Sequence, residues 1–518
     1  MSQTRWWTLL AVCLATFVLI AFVMMAPFAL PDVQRSLNAS LPQLQWVVNA
    51  YTLLLATLLL TAGSLADRLG RRRVFATGLA IYSVAAILCA LAPTATLLDL
   101  ACALLGAGGA IMFSTSLALL GQEFHGSKER GTAFGTWGTT IAAALAVGPL
   151  AGGFLTGAFG WRAIFAVLAP ITIVAFVISL ARVPESTHPE AHQRHVDWIG
   201  FATFTIALFL LIFVLIQGNS SGFGSPLIVA ATAGFVVSMA AFIAAEVIQA
   251  DHGNAEPMLD LTLFRKPAFT GGAMAALTSA GANFGLTFYI VIYLQKVRGN
   301  SPLETGLWFL PITGVAFLAS PLAGRLMARV AHRWIMGAAL LLVAVGDLLL
   351  FGQTATSPLT TLLPGFVLIG IGAGAINPPL GATAVGVVPP ERAGMASGVN
   401  TTFRQLGTAL GIAGLGAFFQ SDIARHLPAA FSDPHVASLV AAGNLKAAAA
   451  AAPGIGGAAE TAFMAALNDL FLVIAAVALV GAICALTMVR QKDFERDEAP
   501  ADDTQTSPLV GPAERAHG

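Results

Sequence analysis

From Thr8 to Leu30 the chain runs through 23 residues without one charged side chain, and thirteen further apolar runs follow it, separated by polar or Gly/Pro-rich breaks. A run of about 20 apolar residues spans the hydrocarbon of a bilayer as a helix. Helices are the form such runs take there, because their backbone groups are satisfied internally. The runs lie near 8–30, 46–66, 74–92, 97–121, 133–157, 161–182, 197–217, 227–247, 269–294, 304–328, 334–353, 359–385, 393–419 and 463–489. Charged residues make up 10% of the chain, against about 25% in soluble domains. So few charges cannot cover the water-facing surface of 518 residues. The fold class is therefore an all-α polytopic membrane protein. The first run is too long for the core of a secretory signal and reads as a retained helix.

The formal net charge is zero, which argues against nucleic acid as a partner. Cys13, Cys89, Cys102 and Cys484 all fall inside apolar runs without CxxC spacing, so they read as packing residues rather than a metal site or disulfide frame. No GxxxxGK[ST] phosphate loop is present, which excludes an ATP-driven pump. With the N-terminus inside, 19 Lys and Arg fall in cytoplasmic segments and 6 in external ones, Arg404 lying within a span. That asymmetry fits the positive-inside rule and places both termini in the cytoplasm of a plasma (inner) membrane protein. The polar tail 491–518 reads as disordered. The external stretch 420–461, with its AAAAAAPGIGGAA centre, reads as a loosely held loop.

A repeat is legible within the chain. Gly63-Ser-Leu-Ala-Asp-Arg68 is echoed by Gly324-Arg-Leu-Met-Ala-Arg329, and Glu129-Arg-Gly-Thr-Ala-Phe-Gly135 by Glu391-Arg-Ala-Gly-Met-Ala-Ser-Gly398. The order is the same in both halves, so the extra length is the helix pair at 197–247. An even number of inserted helices keeps the halves parallel. The expected organisation is a six-helix half at 1–185, two linking helices at 186–250, a second six-helix half at 251–490 and the tail. Two parallel six-helix halves with the substrate site between them form a transporter architecture.

Gly63 to Phe75 (GSLADRLGRRRVF) packs Asp67, Arg68, Arg71, Arg72 and Arg73 into one short turn. As a topology signal this needs neither its glycines nor its lone acid. The segment resembles the cytoplasmic signature between helices 2 and 3 of the major facilitator superfamily. Further motifs extend the resemblance to the fourteen-helix drug:proton antiporter branch: Gly148-Pro-Leu-Ala-Gly-Gly153, Gly160-Trp-Arg162, Asp197-Trp-Ile-Gly200, Leu263-Phe-Arg265, Tyr293-Leu-Gln295, Ser301-Pro302 and Val388 through Gly407. The resemblance implies a major facilitator fold, alternating access and efflux of small molecules. It implies that Gly63, Asp67, Arg68, Gly70, Arg71 and Arg72 act as a conformational latch, the alternative being a solvated charge cluster. It marks Gly148, Pro149, Gly152 and Gly153 as an exporter's motif, in which small residues admit a close neighbouring backbone and Pro149 bends the helix.

Two departures stand beside these matches. Where the family carries an Asp in helix 1, this chain has Phe22, with Pro27 at the family's Asn; where helix 4 carries an Arg and a Gln, it has Cys102 and Leu105. Those family residues bind the proton and balance its charge. Asp347 is the one acid in the middle of a span and becomes the proton-coupling candidate, although a structural hydrogen bond explains it as well. Arg404 either snorkels toward the cytoplasm or faces the cavity. Polar residues within apolar runs supply the remaining cavity candidates: Asn49, Tyr51, Trp137, Asn283, Tyr289, Asn377, Asn400 and Gln405. The expected partners are a small-molecule substrate, protons and the lipid bilayer, with no cofactor and no enzymatic chemistry; a periplasmic adaptor is left open. The leading reading is a secondary active exporter, and the alternative is a facilitator or exchanger without proton coupling. Cysteine-scanning labelling checks the topology: residues in 420–461 react from outside, whereas Arg72→Cys and Gln491→Cys stay protected.

Overall fold

The computed structural model describes residues 3–124, 127–185, 197–252, 261–388, 393–431 and 433–490. The expected disordered tail and the whole of 186–196 lie outside them. Within the described residues the chain is helical and contains no strand. Six helices come first: α1 (Gln3–Leu37), α2 (Leu41–Leu69), α3 (Arg71–Leu91), α4 (Ala95–Glu123), α5 (Ser127–Phe159) and α6 (Arg162–Arg182). Then come α7 (Trp198–Ser221), α8 (Pro226–His252) and α9 (Pro267–Ile292), the last extended by a π turn at Tyr293–Val297. Next are α10 (Pro302–Trp308), α11 (Leu310–Leu326), α12 (His332–Leu349), α13 (Leu363–Gly386) and α14 (Ala393–His426). The chain closes with α15 (Pro434–Ala441), α16 (Leu445–Ala451) and α17 (Gly456–Met488).

Twelve helical stretches among the described residues are long and apolar enough to cross a membrane, with α10 and α11 counted as one stretch. The helices α2 and α14, with 29 and 34 residues, are equally long without being among the twelve. Local sequence sets the breaks. Gly70, at φ +100°, ends α2 and starts α3 within one residue. Asp197 caps α7 by accepting from the Gly200 N–H at 2.7 Å and also accepts from Gln249 of α8, tying the pair together. Ser301 and Glu304 form a reciprocal capping box around Pro302 at the start of α10. Each cap satisfies an N–H that a helix end leaves open.

The repeat read from the sequence reappears as a packing pattern. In the first half α1 packs on α5 and α6, α4 on α2 and α3, and α3 on α6. In the second half α9 packs on α14 and α17, α13 on α11 and α12, and α12 on α17. The pattern maps α1–α6 onto α9, α10/α11, α12, α13, α14 and α17 in order. Helices α7 and α8 pack on each other, and α7 lies on α2 and α14, where Phe204, Leu208, Ile212 and Ile216 meet Leu53, Ala409 and Ala413. The inserted pair thus covers one seam between the halves.

One expectation is corrected. The stretch 420–461 is largely helical: α14 continues to His426, and α15 and α16 follow before α17 begins. Val436, Ala437, Val440, Ala441 and Ala448 are buried there in the main core. Alanine favours helix wherever packing gives the segment a face to bury; in α16 that face is Ala448, while Ala449, Ala450 and Ala451 are exposed.

Close backbone approach at the seam predicts a difference between two glycines. A Cβ on Gly153 would overlap the Pro302 carbonyl, whereas one on Gly138 meets nothing within 4 Å. Gly153→Leu should destabilise the purified protein by about 1–3 kcal/mol, and Gly138→Leu should leave its thermal unfolding unchanged.

Candidate functional site at the seam between the halves

The end of the bundle holding the Gly70 turn is here the basic end, and the opposite end the far end. At the far end the halves are joined by glycine faces and a few directed hydrogen bonds. Along α5, a Cβ on Gly148 would overlap the Met24 side chain of α1, and one on Gly152 would sit 2.9 Å from the Met25 Cα. Across the seam, a Cβ on Gly306 of α10 would lie 2.7 Å from the Pro149 carbonyl. The exporter-like motif therefore faces α1 and α10 at once, with no room for a side chain on either face. Without a strong hydrophobic drive in lipid, such backbone approach is what holds helices together.

Polar bonds complete the join. Gln295, in the π turn after α9, donates to the Phe28 carbonyl of α1 at 3.1 Å, and Phe28 meets Phe309 edge-on at 5.0 Å. Gln45 of α2 donates to the Tyr289 hydroxyl at 2.9 Å and to the Ile412 carbonyl at 3.1 Å, and Tyr289 donates to the same carbonyl at 3.0 Å. Sequence reasoning missed Gln45; its signal was a glutamine directly ahead of the apolar run at 46–66. Toward the basic end the packing loosens. Gly135 and Gly138 of α5 and Gly381 of α13 have no atom within 4 Å of where a Cβ would stand.

The basic turn is tied to its own half. Arg71 donates to the Ala118 carbonyl and to Gln122 of α4, at 3.3 and 3.4 Å. The Arg72 guanidinium reaches the Val183 carbonyl, its backbone N–H donates to Glu185, and Arg73 pairs with Glu185 at 3.5 Å. A Cβ on Gly70 would sit 2.5 Å from the Glu185 carboxylate, so the glycine makes room for that contact. These bonds brace α3 against α4 and α6 and do not cross the seam. The side chains of Gly63, Asp67 and Arg68 lie outside the described residues.

Inside the first half, the positions of the family's acid and arginine are apolar. Phe22 is fully buried, edge-on to Tyr51 at 4.7 Å and 5.5 Å from Phe165. Cys102 and Leu105 are fully buried, and the Cys102 sulfur lies 3.8 Å from that of Cys89. Tyr51 donates to the Leu19 carbonyl and Tyr82 to that of Val18. Tyr51 thus lies in the core of the first half and Tyr289 is buried at the seam, each hydroxyl bonded to a backbone carbonyl.

The other sequence candidates separate into three groups. Trp137 donates to Thr16 at 2.9 Å, and Asn377 turns back onto the Ala373 carbonyl of its own helix. Asn283, Asn400, Arg404 and Gln405 are half-buried. Asn49 and Asp347 are fully buried, and none of their side-chain polar atoms has a hydrogen-bond partner. Asp347 lies on α12, which packs on α13 and α17; the closeness of Gly346 to the Gly365 carbonyl, 2.8 Å from its Cβ position, holds it there. It is inside the second half rather than on the seam. At the far end, His426 of α14 stands between Asp422, 3.4 Å from one ring nitrogen, and Asp469 of α17, 3.8 Å from the other. These three are the one potential metal-ligating group among the described residues. Because each nitrogen faces a different carboxylate, the arrangement suits an ion-paired bridge between two helices better than a shared ion.

The apolar layer predicts the outcome of restoring the family's residues. Phe22→Asp should destabilise the protein by several kcal/mol, roughly the cost of burying an unpaired carboxylate. Phe22→Asp with Cys102→Arg should recover part of that loss, read by thermal unfolding of the single and double variants.

Comparison with known proteins fits this architecture. Residues 12–412 match the family model described as Major Facilitator Superfamily. The multidrug resistance protein Stp of Mycobacterium tuberculosis is 34% identical over 439 residues, covering 84% of this chain and 80% of that protein. The multidrug efflux pump LfrA of Mycolicibacterium smegmatis is 33% identical, with 82% and 83% covered. The tetracenomycin C resistance and export protein of Streptomyces glaucescens is 30% identical, with 95% and 93% covered. Among solved structures, a bacterial homolog of the human lysosomal transporter Spinster, in an inward-facing and unoccupied conformation, aligns with a TM-score of 0.67 at 19% identity. That alignment covers 96% of this chain and all of that one.

Proposed function

Because the chain belongs to the major facilitator superfamily, we propose that it is a secondary active exporter of amphipathic small molecules, either drugs or an endogenous product. The observation that carries this reading is similarity along more than four-fifths of the chain to relatives named for multidrug resistance and efflux. The glycine joint between α5, α1 and α10 supports it, since it lets the halves close without side chains between them. The proposed topology is fourteen spans, as in the drug:proton antiporter branch, with α2 and α14 added to the twelve apolar stretches. Both termini and the basic turn face the cytoplasm of the plasma membrane. On that topology the protein is joined outside and parted inside, an inward-facing state. The turn at Gly70 then serves as the latch of the opposite state. In that state Arg71 and Arg72 keep the turn braced on α4 and α6.

Transport against a gradient needs a group whose protonation differs between the two states. We assign that role to Asp347. Its carboxyl is fully buried without a donor or cation in contact, so ionisation in place would be costly and must be linked to movement of α12 against α13 and α17. A second reading, a facilitator without proton coupling, is favoured by Phe22 and Cys102. Proteoliposomes separate the two. With a proton gradient the wild type should accumulate substrate, and Asp347→Asn should lose uphill transport while keeping counterflow. Equilibration without accumulation by the wild type supports the facilitator. A gradient response surviving in Asp347→Asn removes that residue as the carrier.

A further inference from the structure

Arg404 is a cation without a counter-ion at mid-depth of the protein. It lies eleven residues into α14, about 16 Å along the helix from its start at the basic end. Its guanidinium makes no hydrogen bond or ion pair with the described residues, yet the residue keeps partial exposure. Helix α14 is enclosed by α2, α7, α9, α13 and α17, so the accessible side of Arg404 opens into the protein rather than onto lipid. A guanidinium presents five N–H donors that cannot be given up by deprotonation. Left dry and unpaired they would be costly, so the space beside them holds water or a ligand that accepts hydrogen bonds.

Among the described residues the surroundings supply neutral polar groups and no acid. The bonds of Gln45 to Ile412 and of Thr402 to Ala56 fix α2 and α14 as antiparallel neighbours. Stepping inward from them puts Asn49 level with Thr408, one turn from Arg404. Asn49 is fully buried with both amide atoms unpartnered, and the Gln405 carbonyl oxygen is likewise unpartnered. The first half offers Phe22, Cys102 and Leu105 where an acid and an arginine would cancel, and Asp347 lies away between α12, α13 and α17. The interior at this level therefore carries one uncompensated positive charge.

We propose that Arg404 receives a carboxylate on the exported substrate, making the substrate class amphipathic organic acids rather than cations. This rests on the export reading above. A guanidinium and a carboxylate match in two parallel hydrogen bonds, and the unpartnered Asn49 amide stands about one turn away as a further donor.

The test uses three ligands with one apolar body: 1-pyrenebutyrate, its neutral amide, and the matching primary amine. Binding is measured on the full-length protein in phosphatidylcholine nanodiscs, which removes anionic lipid as a competing source of the contact. The carboxylate should bind about tenfold more tightly than the amide, and the amine least. Arg404→Gln should abolish the carboxylate's advantage while leaving amide affinity unchanged, and Arg404→Lys should keep part of it. Equal affinities in the wild type, a preference for the amine, or a carboxylate preference that survives Arg404→Gln would overturn the assignment. Counterflow of the same ligands keeps the two readings apart. Carboxylate-selective binding without counterflow defeats the export reading alone, and counterflow of the amine but not the carboxylate defeats this one alone.

Discussion

In hydrocarbon no water competes for a backbone N–H or carbonyl, and everything else in this protein follows from that constraint. It makes every spanning segment a helix and removes most of the hydrophobic drive that would press those helices together. Close approach of backbones takes its place. The glycines at 148, 152, 153 and 306 bring α5 against α1 and α10, and those at 281, 407 and 411 bring α9 against α14. Gly148 and Gly152 pack within the first half as the second set does within the other, whereas Gly153 and Gly306 meet across the seam, so a single device serves both the standing fold and the join between the halves.

Directed bonds then decide where the halves meet. Gln45, Tyr289 and Gln295 supply polar contacts of the far-end join, and each uses a backbone carbonyl as acceptor. A carbonyl in a helix already accepts one bond and retains a lone pair, so such contacts form or release without leaving a charge bare. That suits a gate. The basic turn follows the opposite rule: its arginines are braced within their own half by carbonyls and Glu185, which stiffens the half as a body instead of joining it to its partner.

Electrostatically the interior is lopsided. Aromatic and sulfur packing fills the place in the first half where the family carries its acid and arginine, while the second half keeps a buried acid on α12 and a half-buried cation on α14. On the proposals above, coupling and recognition fall to the second half and to separate helices. Exchange between proton and substrate would then pass through movement of α12, α13 and α14 rather than through competition for one carboxylate.

The helical class and the repeat were legible in the chain because they depend on run length and spacing, which are local properties. The glycine motif at 148–153 announced a close contact for the same reason: absence of a side chain has one main use in a membrane helix. The partners of those glycines were not legible, since α1 and α10 are distant in sequence and only packing selects them. Tyr51 and Tyr289 show the limit from the other side. A polar atom in an apolar run signals a need for a partner, but only the tertiary structure shows that Leu19 and Ile412 carbonyls meet it. The ordering of 420–461 likewise came from burial against the far ends of the helices, which alanine-rich sequence permits without dictating. The sequence by itself determined that this is a polytopic helical protein with two parallel halves, because hydrocarbon leaves the backbone no other solution. The tertiary structure decided which buried polar groups are satisfied and which, like those of Asp347, Arg404 and Asn49, stay without a partner, because that depends on neighbours brought together from across the chain.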